Sequence, residues 1–129
     1  MQRALFVSLL ASSLLSLQAA EPEARWFKGN THTHTLWSDG NDFPEMVCDW
    51  YQKHGYDFLA LSDHNKLHTH EVWMSEEGIR KRQKALGKTA VEKYRARFGD
   101  AWVQQRPLEN GKGNEVRLRR IDEYRGMFE

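Results

Sequence analysis

A strand–helix–strand pattern between residues 25 and 62 restricts the folds open to this chain more than any other feature. Asp57 to Ser62 (DFLALS) is a nearly continuous apolar run, the pattern of a strand covered on both faces. Ahead of it, Asp42 is placed to cap a helix, Pro44 sits in the first turn, and Glu45 follows at capping-box spacing. Phe43, Val47, Trp50, Tyr51 and His54 fall on one helical face, and Gly55 supplies the stop. Arg25 to His34 (RWFKGNTHTH) reads as a short strand running into a polar loop. Two strands joined by a helix within about forty residues make a βαβ unit, so the strands should be parallel.

Beyond residue 62 the pattern is mostly helical. Ser75 to Leu86 fits one helix closed by Gly87. Thr89 to Phe98 fits another, with Thr89 and Glu92 as a capping box, Val91, Tyr94 and Phe98 on one face, and Gly99 as its cap. Pro107 to Asn114 reads as a loop, and Leu118 to Phe128 as a final helix with Leu118, Ile121, Tyr124 and Phe128 along one side. The basic run Arg80-Lys81-Arg82-Gln83-Lys84 reads as a solvated helix face rather than a phosphate-binding patch. With 129 residues, 40% hydrophobic and 29% charged, the chain suits one ordinary domain with a packed core. A net charge of +1 gives no electrostatic reason to expect nucleic acid or an acidic membrane surface as a partner.

Residues 1–20 stand apart. Arg3 supplies a small positive region, Ala4 to Leu17 is uncharged and mostly apolar, and Gln18-Ala19-Ala20 precedes the charged Glu21-Pro22-Glu23. The run is shorter than the roughly 20 apolar residues a spanning helix needs, and it has the length of a signal-peptide core. Leu17 or Gln18 stands where a small residue is preferred for cleavage. A signal peptide over residues 1–20 predicts a secreted or periplasmic protein with no stable membrane anchor. A buried N-terminal helix is the alternative.

The chemistry-bearing residues gather at the two strand ends. On an extended segment, side chains two apart point the same way, so His32 and His34 can reach one ion. Taken alone, His-x-His is a weak signal. Ser38-Asp39-Gly40 follows in the loop after the first strand, where Asp-Gly is first of all turn chemistry. Asp63-His64-Asn65 closes the second strand, and such a triplet could equally be a helix cap or a loop entry. Two adjacent parallel strands nevertheless deliver histidine and aspartate to the same carboxyl edge, where α/β sheets and barrels place their sites. Six histidines against one cysteine tilt metal chemistry toward imidazole and carboxylate ligands, which suit zinc, manganese or iron.

GNTHTHTLWSDG followed by GYDFLALSDHN resembles the first two motifs of the PHP (polymerase and histidinol phosphatase) superfamily, and in particular its exported phosphoesterase-like members. The likeness covers roughly residues 28–65 and continues more loosely to the end. It implies a distorted seven-stranded β/α barrel with two or three divalent ions at the carboxyl ends of its strands, hydrolysing a small-molecule phosphate ester. By that resemblance His32 and His34 ligate one ion, Asp39 and His64 approach another, and Asp63 orients ligands or a water from behind them. Ser62 stands where many members carry threonine.

Other side chains read more plainly. His68 and His70 form a second His-x-His that the family pattern does not require, and they read as exposed loop histidines. His54 sits near a helix C-terminus, which favours partial positive charge. Cys48 reads as a buried small hydrophobe. The five tryptophans read as core or rim packing, with Trp37 near enough to the metal loop to line a substrate pocket.

A β/α barrel needs roughly 200 residues or more, and only two strands stand out here. The family's bridging glutamate, further histidines and late Asp-x-His have no counterparts; Glu115 and Glu123 do not follow apolar strands. Residues 25–129 are therefore expected to be the N-terminal portion of such a barrel, poorly folded and weakly active alone. The reading frame beyond residue 129 is expected to supply an apolar strand ending in glutamate, more histidines and Asp-x-His. Two rival classes are an amidohydrolase-like enzyme acting on amides or lactones, whose barrel also begins with His-x-His, and a non-catalytic secreted metal- or ligand-binding module.

Overall fold

The computed structural model describes residues 23–83 and 90–129. Residues 1–20, read as a signal peptide, lie outside the described residues, as do Lys84, Leu86, Gly87 and Thr89 of the helix assignments. No helix among the described residues is long and apolar enough to cross a membrane.

The expected parallel unit is present. β1 (Gly29–Thr33) and β2 (Phe58–Leu61) pair in parallel, Gly29 opposite Phe58 and Thr33 opposite Leu61, with α1 (Pro44–Lys53) between them in the chain. Between Asn30 and Thr33, β1 carries one more residue than the stretch of β2 it faces. This is a bulge of the kind that re-aims side chains beside functional sites. Asn30 Oδ1 accepts from the His32 backbone N–H at 2.9 Å within it.

α1 starts and faces differently from its sequence pattern. Phe43 is the N-cap, and Asp42 Oδ1 accepts from the Phe43 N–H at 2.8 Å, one position early for a cap. Glu45 makes no capping box. It is fully buried and accepts from Tyr94 Oη at 2.6 Å and Trp102 Nε1 at 3.2 Å. Asp49 is also buried, held by Arg97 at 2.7 Å and Lys53 at 2.6 Å. Partners on both Asp49 oxygens and on Glu45 Oε1 let the helix bury that face, although Glu45 Oε2 has no hydrogen-bond partner, and Trp50 on the apolar stripe stays half exposed. β2 is covered less than its composition suggests: Phe58 and Ala60 are exposed, while Leu59 and Leu61 are half buried.

The second half departs from the helical expectation. β3 (Val72–Ser75), β4 (Gln105–Pro107) and β5 (Asn114–Leu118) form an antiparallel sheet in the order β3-β5-β4. α2 (Glu76–Arg82) is capped by Ser75 Oγ, which accepts from the Gly78 N–H at 3.1 Å. α3 (Ala90–Phe98) ends at Gly99, whose φ of +83° suits glycine. The loop expected after Pro107 is the β4–β5 turn, closed by Leu108 N–H to Gly113 O at 3.0 Å. Leu118 belongs to β5, so the final helix shrinks to α4 (Ile121–Tyr124) and one 3-10 turn (Arg125–Met127). In Asn114–Leu118 polar and apolar residues alternate, and burying Val116 and Leu118 completely favours the strand over a helical stripe.

The fold is therefore mixed α/β with two small sheets and four helices, and no barrel closes among the described residues. Its core joins the antiparallel sheet to α2 and α3 through Ile79, Tyr94, Val116 and Leu118. The loop after β1 inserts Leu36, Trp37 and Phe43 into the same core, and Phe43 stacks on Tyr94 at 4.0 Å. Each such large side chain contributes about 1.5–3 kcal/mol on burial. The loop that carries the candidate ligands is thus anchored by its own apolar residues.

Candidate metal centre

The polar half of that loop turns back onto the end of β1. Leu36 N–H donates to Asp42 O at 2.8 Å, and Ser38 N–H to Thr35 O at 3.1 Å. Gly40 packs so closely that a Cβ there would lie 2.4 Å from His34 C and O and from Thr35 N. Only glycine fits that approach of backbone to backbone. Asp-Gly here serves close packing as well as turning.

The turn places Asp39 against two histidines. Asp39 Oδ1 lies 2.7 Å from His34 Nδ1, and Oδ2 lies 3.5 Å from His64 Nε2. His34, Asp39 and His64 each offer a ligand atom, all within 4.8 Å of one another. His64 arrives from the carboxyl end of β2, and its ring meets that of His34 edge-on at 4.2 Å. His32 is exposed and outside this group, with its ring 4.7 Å from His34. Asp39 and His64 are largely exposed, so the cluster opens to solvent.

The donor chemistry tests whether these residues suit an ion. His34 Nδ1 faces the Asp39 carboxylate, so an ion shared by His34, Asp39 and His64 would take Nδ1 in place of that contact, while His34 Nε2 is buried and has no hydrogen-bond partner. The carboxylate–imidazole donor set fits a divalent transition metal. For Asp39, a desolvation cost that raises its pKa is outweighed by its own backbone N–H and by His34 and His64, and the carboxyl sits below its ordinary value.

Asp63 lies behind these ligands, with its side chain fully buried. Oδ1 accepts from the Thr35 N–H at 2.7 Å and Ser38 Oγ at 2.5 Å. Oδ2 accepts from Thr35 Oγ1 at 2.8 Å and lies 2.8 Å from His68 Nε2. Burial pushes this carboxyl up, but the bonds from His68, Ser38 and Thr35 prevail and hold it well below the usual range. Asp63 is therefore an ionised acceptor with all its capacity spent on protein donors.

Two side chains differ from their sequence reading. His68 is buried: its Nδ1 lies 2.8 Å from Tyr124 Oη, and its ring stacks on Trp37 at 4.6 Å. Its neighbour Leu67 is exposed, so hydropathy along this loop is inverted and offers no signal; His70 is exposed as expected. Trp37 is core rather than pocket wall, and its Nε1 donates to Arg119 O at 3.2 Å. Arg80 and Lys81 pair with Glu76 and Glu77 along α2, as a solvated face should, while Arg82 donates to the Ser38 carbonyl. Glu115 and Glu123 are engaged elsewhere, by Arg106 and by Arg117 and Arg119. The Cys48 thiol is half buried and pushed up to about 12 by burial and by Glu45, which makes it inert as a nucleophile at neutral pH. Comparison with known proteins found no match to this chain among family models, curated proteins or solved structures.

Proposed function

We propose that this chain supplies the first metal-binding motifs of a metal-dependent phosphoesterase of the PHP type, exported by its N-terminal segment. In this reading β1, α1 and β2 are the opening βαβ unit of a distorted β/α barrel. The observation that carries it is the convergence of His34, Asp39 and His64 at the carboxyl ends of two parallel strands. His34, Asp39 and His64 would hold a divalent zinc, manganese or iron ion, and His32 stands beside them for a second. Such ions supply Lewis acidity toward a phosphoryl oxygen and acidify water. Three donors suit one ion, so a di- or trinuclear centre draws on ligands beyond those described. The openness of Asp39 and His64 leaves room for a small-molecule phosphate ester at the cluster.

Equilibrium dialysis against zinc, manganese and iron tests the binding part, with an expected stoichiometry of one tight ion per chain that His34→Ala abolishes. Turnover of an aryl phosphate, compared with an amide and a lactone in the longest expressible form of the protein, tests the reaction. Metal-dependent hydrolysis of the phosphate alone is expected. Metal-dependent turnover of the amide or lactone would instead assign the amidohydrolase-like class. Tight metal binding with no turnover would assign a binding module.

A further inference from the structure

The three candidate ligands share a second property. Each is the sequence neighbour of a residue in the Asp63 network: Thr35 follows His34, Ser38 precedes Asp39, and Asp63 itself precedes His64. One carboxylate therefore ties together the neighbours of all three ligands, across both ligand-bearing segments. Its orientation depends on what holds Oδ2, because a carboxylate turning about its Cβ–Cγ bond would break the Thr35 and Ser38 bonds together.

We infer that His68 is a positioning residue of the metal centre, locking the Asp63 carboxylate in the rotation that sets His34, Asp39 and His64 at ligand geometry. This rests on the reading of that cluster as a divalent-ion site. With Asp63 as acceptor, Nε2 must carry the hydrogen, and Nδ1 shares a hydrogen bond with the Tyr124 hydroxyl. Trp37 stacks on the imidazole within 11° of parallel and fixes its plane. The His68 backbone is held as well, since its carbonyl accepts from the Ile121 N–H at 2.8 Å. The ring is thus fixed from both nitrogens, one face and its own backbone. Apart from Asp63 itself, those restraints come from α4 and the loop after β1, so an element beyond the antiparallel sheet sets the ligand geometry of the parallel half. Partners of this kind behind metal ligands typically matter by about 10–100-fold in affinity.

The test is titration of the metal-free chain with Co²⁺, read by its visible d–d absorption, in the wild type, His68→Ala, His68→Gln and a destabilised control, Val103→Ala. Val103 is buried in the core, and its hydrogen bond goes to Gly99 O, outside the network. His68→Ala is expected to weaken Co²⁺ binding about 10–100-fold and to change the absorption envelope of the bound ion. His68→Gln keeps an N–H at the reach of Nε2 and should recover affinity to within a few-fold, together with the wild-type spectrum. Val103→Ala should lose thermal stability yet keep both. Wild-type affinity and spectrum in His68→Ala would overturn the inference while leaving the metal site standing. So would a loss that Val103→Ala reproduces at equal melting temperature. Should His68→Ala fail to fold, a folded His68→Gln without Co²⁺ affinity refutes the proposal equally. Absence of Co²⁺ and zinc binding by the wild type would remove the metal-site reading, and this role with it.

Discussion

Replacing Asp63 offers a direct test of how this fold holds its loop, because Asp63→Ala and Asp63→Asn should differ sharply. The carboxylate accepts four hydrogen bonds, two from hydroxyls that can rotate toward other acceptors and two from N–H groups. In Asp63→Ala the Thr35 backbone N–H is buried without a partner, which costs about 1–3 kcal/mol. The charge-assisted bond from His68 is lost too, worth about 1.5–3 kcal/mol. Breaking the network should therefore destabilise by about 3–5 kcal/mol, a large part of the roughly 5–15 kcal/mol available to a domain. Asp63→Asn can keep its oxygen toward Thr35 N–H and Ser38 Oγ. Its amide then faces Thr35 Oγ1, which can accept, and His68, which accepts in its other tautomer. That variant should lose only about 1–2 kcal/mol. Urea unfolding followed by tryptophan fluorescence reads both, since Trp37 stacks on His68 at the edge of the network. The pH dependence adds a sign. The Asp63 pKa is depressed on folding, so its stabilisation is complete above the ordinary value of 3.8 and is lost as pH falls below it. The acid loss should be smaller in Asp63→Asn. If the two variants agree within about 0.5 kcal/mol, or neither loses as much as about 1 kcal/mol, the hub account is wrong.

Two other perturbations separate site from scaffold. Gly40→Ala forces a Cβ to 2.4 Å from the His34 and Thr35 backbone, which cannot step aside as a side chain could. It should cost about 1–3 kcal/mol and displace Asp39; Gly55→Ala, at φ +68° with open space, should lower stability but leave Co²⁺ affinity unchanged, a contrast that paired melting and titration would show. Glu45 titrates with the opposite sign to Asp63. Burial raises it despite the bonds from Tyr94 and Trp102, so its stabilisation is complete below the ordinary value of 4.5 and fades as pH rises through its folded value. Glu45→Gln should gain melting temperature relative to the wild type between about pH 4 and about pH 8, and a constant difference across that range would contradict the assignment.

The parallel unit was legible because its signals agree: a helix between two apolar or extended segments, with glycine at its end, admits few arrangements. What hid the rest was competition between signals of similar weight. Leu118, Ile121, Tyr124 and Phe128 carry helical spacing, yet Asn114–Leu118 also alternates with the period of a strand, and packing of Val116 and Leu118 against Ile79 and Tyr94 decides. β3 and β4 are three or four residues long and carry too little pattern to register alone. α1 misled in another way. Its apolar stripe predicted the buried face, but Tyr94 and Trp102 on Glu45 Oε1, and Arg97 and Lys53 on Asp49, all distant or exposed in any local reading, draw those carboxylates inward instead.

The candidate ligands and their support were unequally legible for a related reason. His34, Asp39 and His64 carry a local code, two short motifs at the ends of adjacent strands, so their convergence follows once the strands pair. His68 has no such code. Its burial depends on Tyr124, 56 residues later, and on Trp37, 31 residues earlier by their numbering, neither of which a local window can link to it. Asp63 shows the same division within one residue: its place beside His64 was legible, while its four donors come from three residues in two separate loops. Ligands must face a shared ion, so they are confined to strand ends; the groups that hold them need only reach a ligand's neighbour. A supporting residue can therefore come from any element that packs nearby, and here it comes from the half of the chain whose strands were hardest to foresee.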